Sequence, residues 1–332
     1  MQIILLSGGS GKRLWPLSNG TRSKQFIKLL KAPNGECESM VQRITRQIIE
    51  ANLTKSITIA TSEMQYSYIQ EQLGESVEVV TEPERRDTFP AIALATAYLA
   101  LQKGCSCEET VVVMPCDSFV EPGYFKTIKS MTELVSDNVA DLVLMGITPS
   151  IPSTKFGYII PHKKSSTEVS YRLVERFSEK PNESKAKELI NLGALWNGGV
   201  FAFKLGYMMN ISRQYIDTND FVEFRNNYSK LPKISFDYEV VEKADSVAVT
   251  SYNGIWKDLG TWNTFTEELS QNTFGKVICG NKINNCHIIN EMNIPLVCDG
   301  IEDLIIVASQ DGIIVCKKSE SESIKEFVEN IN

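Results

Sequence analysis

The sequence predicts an α/β fold in which a mostly parallel, Rossmann-like sheet flanked by helices is followed by a small C-terminal β subdomain, and three observations point to it. Short apolar runs rich in β-branched residues alternate with longer amphipathic segments up to about residue 150. A glycine-rich turn directly follows the first of these runs, at the edge where α/β proteins take up ligands. After about residue 270 the alternation gives way to closely spaced β segments.

The predicted strands of the first half are 3–6, 56–60, 77–80, 110–114 and 142–147, separated by helical segments near 39–51, 62–73, 88–103 and 123–136. Ser39 and Gln42 have the spacing of a capping box and open a helix whose apolar face is Val41, Ile44, Ile48 and Ile49. Beyond 150 the pattern is less regular, with strand-like pieces at 157–160, 171–177 and 199–203 and helices near 182–191 and 205–228. This reads as an insertion that builds a second half-site. The late β segments are 276–279, 287–290, 304–308 and 313–316, followed by a helix from about 321 to 330.

Composition excludes several function classes. A chain of 332 residues, 42% hydrophobic and 23% charged, buries a large core without help from disulfides or metals. Its net charge of −7 offers no general attraction to nucleic acid or to an anionic membrane, so neither is an expected partner. A phosphate site must therefore be a local cluster of Lys, Arg and backbone N–H groups. The eight cysteines form no C-x-x-C pair and no zinc-like spacing with His162 or His287, and they read as reduced thiols. The N-terminal apolar run is too short for a signal peptide and no stretch reaches the length of a membrane span, so a cytoplasmic location is expected.

Ser7, Gly8, Gly9, Ser10, Gly11, Lys12 and Arg13 follow the first strand, and glycines there let backbone N–H groups approach a ligand closely. Two familiar phosphate loops are excluded. A P-loop needs Gly where Leu6 stands and Ser or Thr where Arg13 stands, and the dinucleotide fingerprint needs Gly where Leu14 stands. Lys12, Arg13, Arg22 and Lys24 cluster just after the turn and supply the positive charge a triphosphate needs. A tight connection with a solvated basic loop has the same composition.

The stretch Leu6-Ser-Gly-Gly-Ser-Gly-Lys-Arg-Leu-Trp-Pro-Leu-Ser18, with Ser23-Lys-Gln-Phe26, closely resembles the start of the mannose-1-phosphate guanylyltransferases of the sugar nucleotidyltransferase superfamily. The likeness continues in the family's order through Glu82-Pro-Glu-Arg-Arg-Asp-Thr-Phe-Pro-Ala-Ile-Ala-Leu-Ala95, Met114-Pro-Cys-Asp117, Phe156-Gly-Tyr-Ile159, Phe177-Ser-Glu-Lys-Pro181, Trp196-Asn-Gly-Gly-Val-Phe201, Phe236-Asp-Tyr-Glu-Val-Val-Glu-Lys243 and Trp256-Lys-Asp-Leu-Gly-Thr-Trp262. The resemblance implies a glycosyltransferase-A-like nucleotidyltransferase domain over 1–268 and a β-rich subdomain with a terminal helix over 269–332.

It also implies the site. Asp117, just past a buried run and so also readable as a helix N-cap, would hold Mg²⁺ together with Asp258. Arg13 and Lys24 would be catalytic beside Asp117, and Ser7, Gly8, Gly9, Gly11 and Lys12 would bind the nucleotide with Arg86, Asp87 and Thr88 beside the base. Gly157, Glu179, Lys180 and Asn197 would hold the sugar phosphate, although Glu179 and Lys180 alone read as a surface ion pair. The family usually has Gly-Arg-Asn-Thr where this chain has Arg85-Arg-Asp-Thr88, Thr where it has Lys12, and Pro where it has Ser23. An aspartate at 87 still accepts hydrogen bonds from the N1–H and N2–H₂ edge of guanine.

The implied substrates are GTP and mannose 1-phosphate. A sugar 1-phosphate is mostly dianionic at neutral pH, its second pKa being about 6, so in-line attack on the α-phosphorus needs no protein base. Three alternatives stay open at this level: another sugar 1-phosphate such as glucose or heptose, another base, and a non-catalytic nucleotide-sugar sensor on the same fold. The C-terminal subdomain is equally compatible with packing on its own catalytic domain and with packing on a neighbour's in a homodimer.

Overall fold

Short apolar runs become strands wherever alternate residues can be buried against helices. The computed structural model, which describes residues 1–9, 12–162 and 170–328, gathers nine of them into one sheet. They are β1 (Gln2–Ser7), β2 (Ile57–Ser62), β3 (Glu78–Glu82), β4 (Thr110–Pro115), β5 (Leu142–Ile147), β6 (Tyr158–Pro161), β7 (Tyr171–Ser178), β8 (Leu195–Lys204) and β9 (Val247–Tyr252), in the order β3-β2-β1-β4-β8-β5-β9-β7-β6. The run β3-β2-β1-β4 is parallel, as are β5 and β9. β8 is antiparallel to both β4 and β5, and β7 is antiparallel to β9 and to β6.

Helices α1 (Met40–Glu50), α2 (Tyr66–Leu73), α3 (Thr88–Ala97), α4 (Gly123–Ser136), α5 (Glu183–Asn191), α6 (Leu205–Arg213) and α7 (Phe221–Asn226) follow. The capping box at α1 is formed: Gln42 N–H donates to Ser39 Oγ at 3.3 Å, and Ser39 N–H donates to Gln42 Oε1 at 3.1 Å. Val41, Ile44 and Ile48 are buried, but Ile49 is exposed, since at 100° per residue it lies at the margin of that stripe. The helix expected over 205–228 is broken in two. Asp220 starts the second piece by accepting the Glu223 N–H at 2.7 Å, so a local cap wins over continuation. α3 is buried from Phe89 to Ala97 and has no solvent face.

The chain folds as two compact units whose segments interleave. The first comprises Met1–Gly8, Thr45–Pro115 and Val120–Trp256, and the second Gly9–Ile44, Cys116–Phe119 and the chain from Lys257 onward. The second unit therefore does not begin at 269. Its core joins Leu14, Leu17, Ile27 and Leu29 to Leu259, Trp262, Phe265, Ile305 and Val307, an association of distant segments that no composition shift marks. Its strands β10 (Thr273–Gly275), β11 (His287–Asn290), β12 (Leu304–Ser309) and β13 (Gly312–Lys317) form a sheet in that order, parallel except for the last pair. Two further parallel pairs, Val277–Cys279 with Leu296–Cys298 and Ile283–Asn284 with Ile301–Glu302, show that the chain winds in stacked turns. The final helix is Ile324–Val328, and its expected continuation to 330 lies outside the described residues. Among the described residues no helix is long and apolar enough to cross a membrane.

Candidate active site

In the second unit, Lys24 opens a short 3₁₀ turn, Lys24–Phe26, whose Gln25 and Phe26 are buried. The preceding Ser23 Oγ donates to the Gly9 carbonyl at 3.1 Å, tying this turn to the glycine loop. The Lys24 ammonium lies 2.9 Å from Asp117 Oδ2 and 2.6 Å from Asp258 Oδ1. Burial disfavours its charge, but Asp117 and Asp258 outweigh that and hold its pKa above the ordinary lysine value. Asp117 just follows β4, and Asp258 ends the short strand Trp256–Asp258, which pairs with Ser118–Val120. Buried Leu259, Trp262 and Phe265 fix the chain after Asp258, and Trp262 Nε1 donates to the Trp15 carbonyl at 2.9 Å.

The other basic residues of this region behave differently. Arg22 makes a two-pronged salt bridge to Glu291 at 2.8 and 2.9 Å, so its charge is spent within the protein. Arg13 is exposed in the turn Lys12–Leu14. Gly11 and the side chain of Lys12 lie outside the described residues. Gly9 has φ +123, a conformation that favours glycine.

In the first unit, Gly157, Tyr158, Phe177, Ser178, Glu179, Asn197, Asp237 and Glu242 line a recess of about 210 Å³ that is open to solvent. A Cβ at Gly157 would stand 2.5 Å from Glu179 Oε2, the far end of a flexible side chain, so glycine lets that carboxylate rest against the backbone. Asn197 is held at three points. Its N–H donates to the Gly157 carbonyl at 2.8 Å, its Nδ2 donates to Asp237 Oδ1 at 2.6 Å, and its Oδ1 accepts the Gly199 N–H at 3.1 Å. Burial pushes the Asp237 carboxyl above the usual carboxylate range; the Asn197 hydrogen bond opposes this and the Glu179 charge adds to it. Phe156 and Trp196, the residues preceding Gly157 and Asn197, pack their rings with that of Trp256, with centroids 5.0 to 6.5 Å apart.

Of the sugar-side residues expected from sequence, Gly157, Glu179 and Asn197 thus share one recess, whereas Lys180 is not among its lining residues. The Lys180 side chain is exposed and ion-paired with the neighbouring Glu179 carboxylate. Asp237 is not among the residues expected from sequence, although it stands inside a matching block; it shares the four-residue helix Phe236–Glu239 with a second acidic residue, Glu239, so charge pattern alone does not single it out.

The expected base-side residues have structural contacts of their own. Asp87 has φ +77 and accepts the Thr88 N–H at 2.7 Å, Thr88 Oγ1 accepts the Phe236 N–H at 2.8 Å, and Arg86 Nε donates to the Leu231 carbonyl at 3.1 Å. Ser7 is buried at the end of β1, where its hydroxyl donates to Gln65 Oε1 at 3.4 Å and its carbonyl accepts from Thr61 at 3.0 Å. Gly8 follows it, exposed.

Comparison with known proteins adds an independent line. The family model described as nucleotidyl transferase matches residues 2–273. A mannose-1-phosphate guanylyltransferase of Salmonella montevideo is 29% identical over 99% of this chain and 73% of its own length. The alginate biosynthesis protein AlgA of Pseudomonas syringae pv. tomato is 26% identical over 99% of this chain and 71% of its own. A crystal structure from Thermus thermophilus, titled mannose-1-phosphate geranyltransferase, superposes with a TM-score of 0.78 at 27% identity, covering 99% of this chain and 98% of that one.

Proposed function

This chain belongs to the nucleotidyl transferase family, and we propose that the reaction it catalyses joins GTP and α-D-mannose 1-phosphate to give GDP-mannose and pyrophosphate. The observation that carries the proposal is the contact of one half-buried ammonium, Lys24, with two carboxylates, Asp117 and Asp258. The choice of guanine and mannose is supported by the relatives that align over nearly the whole chain under the name mannose-1-phosphate guanylyltransferase.

Two carboxylates close enough to contact the same cation suit a hard divalent ion such as Mg²⁺, which leaves most of its positions to water and phosphate oxygens. Asp117 and Asp258 would hold the ion, and bound there it supplies positive charge at the phosphates. The chain's own residues do the rest. A phosphate oxygen of the sugar 1-phosphate attacks the α-phosphorus in line, the bond to pyrophosphate breaks, and no proton has to move.

Lys24 and Arg13 offset the charge on the phosphate oxygens, with the backbone of Gly8, Gly9 and Gly11 and with Lys12 serving the triphosphate. Glu179 and Asn197 orient the sugar hydroxyls over the Gly157 backbone, Lys180 answers the sugar phosphate, and Asp87 accepts from the guanine edge beside Arg86 and Thr88. The test is a pyrophosphate-release screen of the four common nucleoside triphosphates against mannose, glucose and heptose 1-phosphates with Mg²⁺. Release with GTP and mannose 1-phosphate is the expected result. Release only with another triphosphate, or only with another sugar, overturns the substrate assignment.

A further inference from the structure

Three thiols gather in the stacked turns of the second unit, far in sequence from Lys24 and Asp117. Cys279 and Cys298 end two parallel strands and are register partners, Cys279 opposite Cys298. Neighbouring parallel strands lie about 4.8 Å apart, inside the roughly 4.4 to 6.8 Å Cα separation that a disulfide spans, and directly opposed residues project to the same side of the pair. The preceding residues of the same two strands, Ile278 and Val297, are exposed at 56% and 67%, so the two cysteines share the opposite side of the pair. Cys286, the third, is buried in one apolar cluster with Cys298, Ile288 and Ile306, and its Sγ donates to the Asn284 carbonyl at 3.2 Å.

The two facing thiols are unequal. Cys279 is exposed, whereas Cys298 is buried. Burial pushes the Cys298 thiol up, and the nearby Cys279 and Cys286 add to that shift. An exposed thiol meets a small reagent first, and a buried neighbour acts only within the adduct.

We propose that Cys279 and Cys298 form a thiol–disulfide exchange site for small-molecule disulfides. In the first step the Cys279 thiolate attacks one sulfur of the reagent, forming a mixed disulfide and expelling one thiolate. In the second, Cys298 gives up its proton and attacks the Cys279 sulfur, expelling the other half. The protein loses two hydrogens and one disulfide becomes two thiols, so the reagent is the oxidant and electrons balance. Being exposed on one side, the product is of the kind that thiols reduce readily.

The experiment uses the full-length protein with oxidised glutathione, followed by alkylation, intact mass and peptide mapping. The expected product has lost two hydrogens and joins Cys279 to Cys298, and dithiothreitol reverses it. C298S is expected to stop at one glutathionyl group on Cys279, and C279S to leave Cys298 alkylated only after unfolding. Cys37 is the built-in comparison, since it is exposed but stands opposite Lys31. A stable glutathionyl adduct on Cys279 of the unsubstituted protein overturns the proposal. So does a Cys279–Cys286 bond, or modification of Cys37 with Cys279 untouched.

Discussion

Asn197 and Asp237, forty positions apart in sequence, are joined side chain to side chain at 2.6 Å on the wall of the recess that also holds Glu179. The bond fixes which end of the Asn197 amide faces which partner, because Oδ1 is occupied by the Gly199 N–H. Asp237→Ala leaves the Nδ2 group without its acceptor, a loss worth about 1 to 3 kcal/mol. The expected outcome is a KM for mannose 1-phosphate raised roughly tenfold or more, with the KM for GTP little changed. Steady-state kinetics varying each substrate separately decide it. An equal rise in both constants removes Asp237 from the sugar side.

Gly157→Ala tests the close approach of backbone and carboxylate. The added methyl would stand 2.5 Å from Glu179 Oε2, so that carboxylate must move. Because the atom met is the end of a flexible side chain, the expected result is a raised KM for the sugar phosphate with the thermal midpoint little changed. Unchanged sugar-phosphate kinetics in a folded variant show that Glu179 is not needed where it stands.

Lys24 answers two carboxylates at once, and Lys24→Ala leaves Asp117 and Asp258 without their shared cation. By analogy with the loss of one preorganised charge-stabilising donor, kcat is expected to fall on the order of a hundredfold or more. Far-ultraviolet circular dichroism checks that the fold persists. In the unsubstituted protein a chelator is expected to abolish pyrophosphate release and added Mg²⁺ to restore it. Full turnover in the chelator would remove the metal role given to Asp117 and Asp258.

His287 provides a pH test. Burial, and then the charge of Lys318, lower its pKa from 6.5 to about 4. A depressed histidine binds fewer protons folded than unfolded between those values. Its neutral form therefore supports the fold above pH 6.5, and that support drains away as the pH falls from 6.5 towards 4. Thermal midpoints measured across this window are expected to fall more steeply for the unsubstituted protein than for His287→Gln. Parallel curves for the two proteins rule His287 out as a source of the acid loss.

The legibility of the sequence varies with how local the cause is. Strand β5 was predicted at its observed limits, 142–147, because a fully apolar run between turn signals has few alternatives. Asp117 was readable from its place just beyond such a run. The partnership of Lys24 with Asp117 and Asp258 was legible only through the family resemblance, since no local pattern joins segments 93 and 234 positions apart. Arg22 looked like a phosphate ligand by proximity to Lys24, yet Glu291 claims it, and no spacing rule links 22 to 291. Strand β9 escaped notice because it follows an irregular stretch, and its burial depends on β5 and β7 lying to either side.

The helix without a solvent face has a consequence for the loop in front of it. Local opening of a protein begins where few buried contacts must be broken, so a fully enclosed segment gives up its amide protons only when the surrounding unit unfolds. The backbone of α3 is thus among the last to exchange with deuterated solvent. Arg86 and Asp87 are attached to its first residue, Thr88, whose hydroxyl is itself pinned by Phe236. Whatever those residues recognise, they meet it from a mount that does not drift.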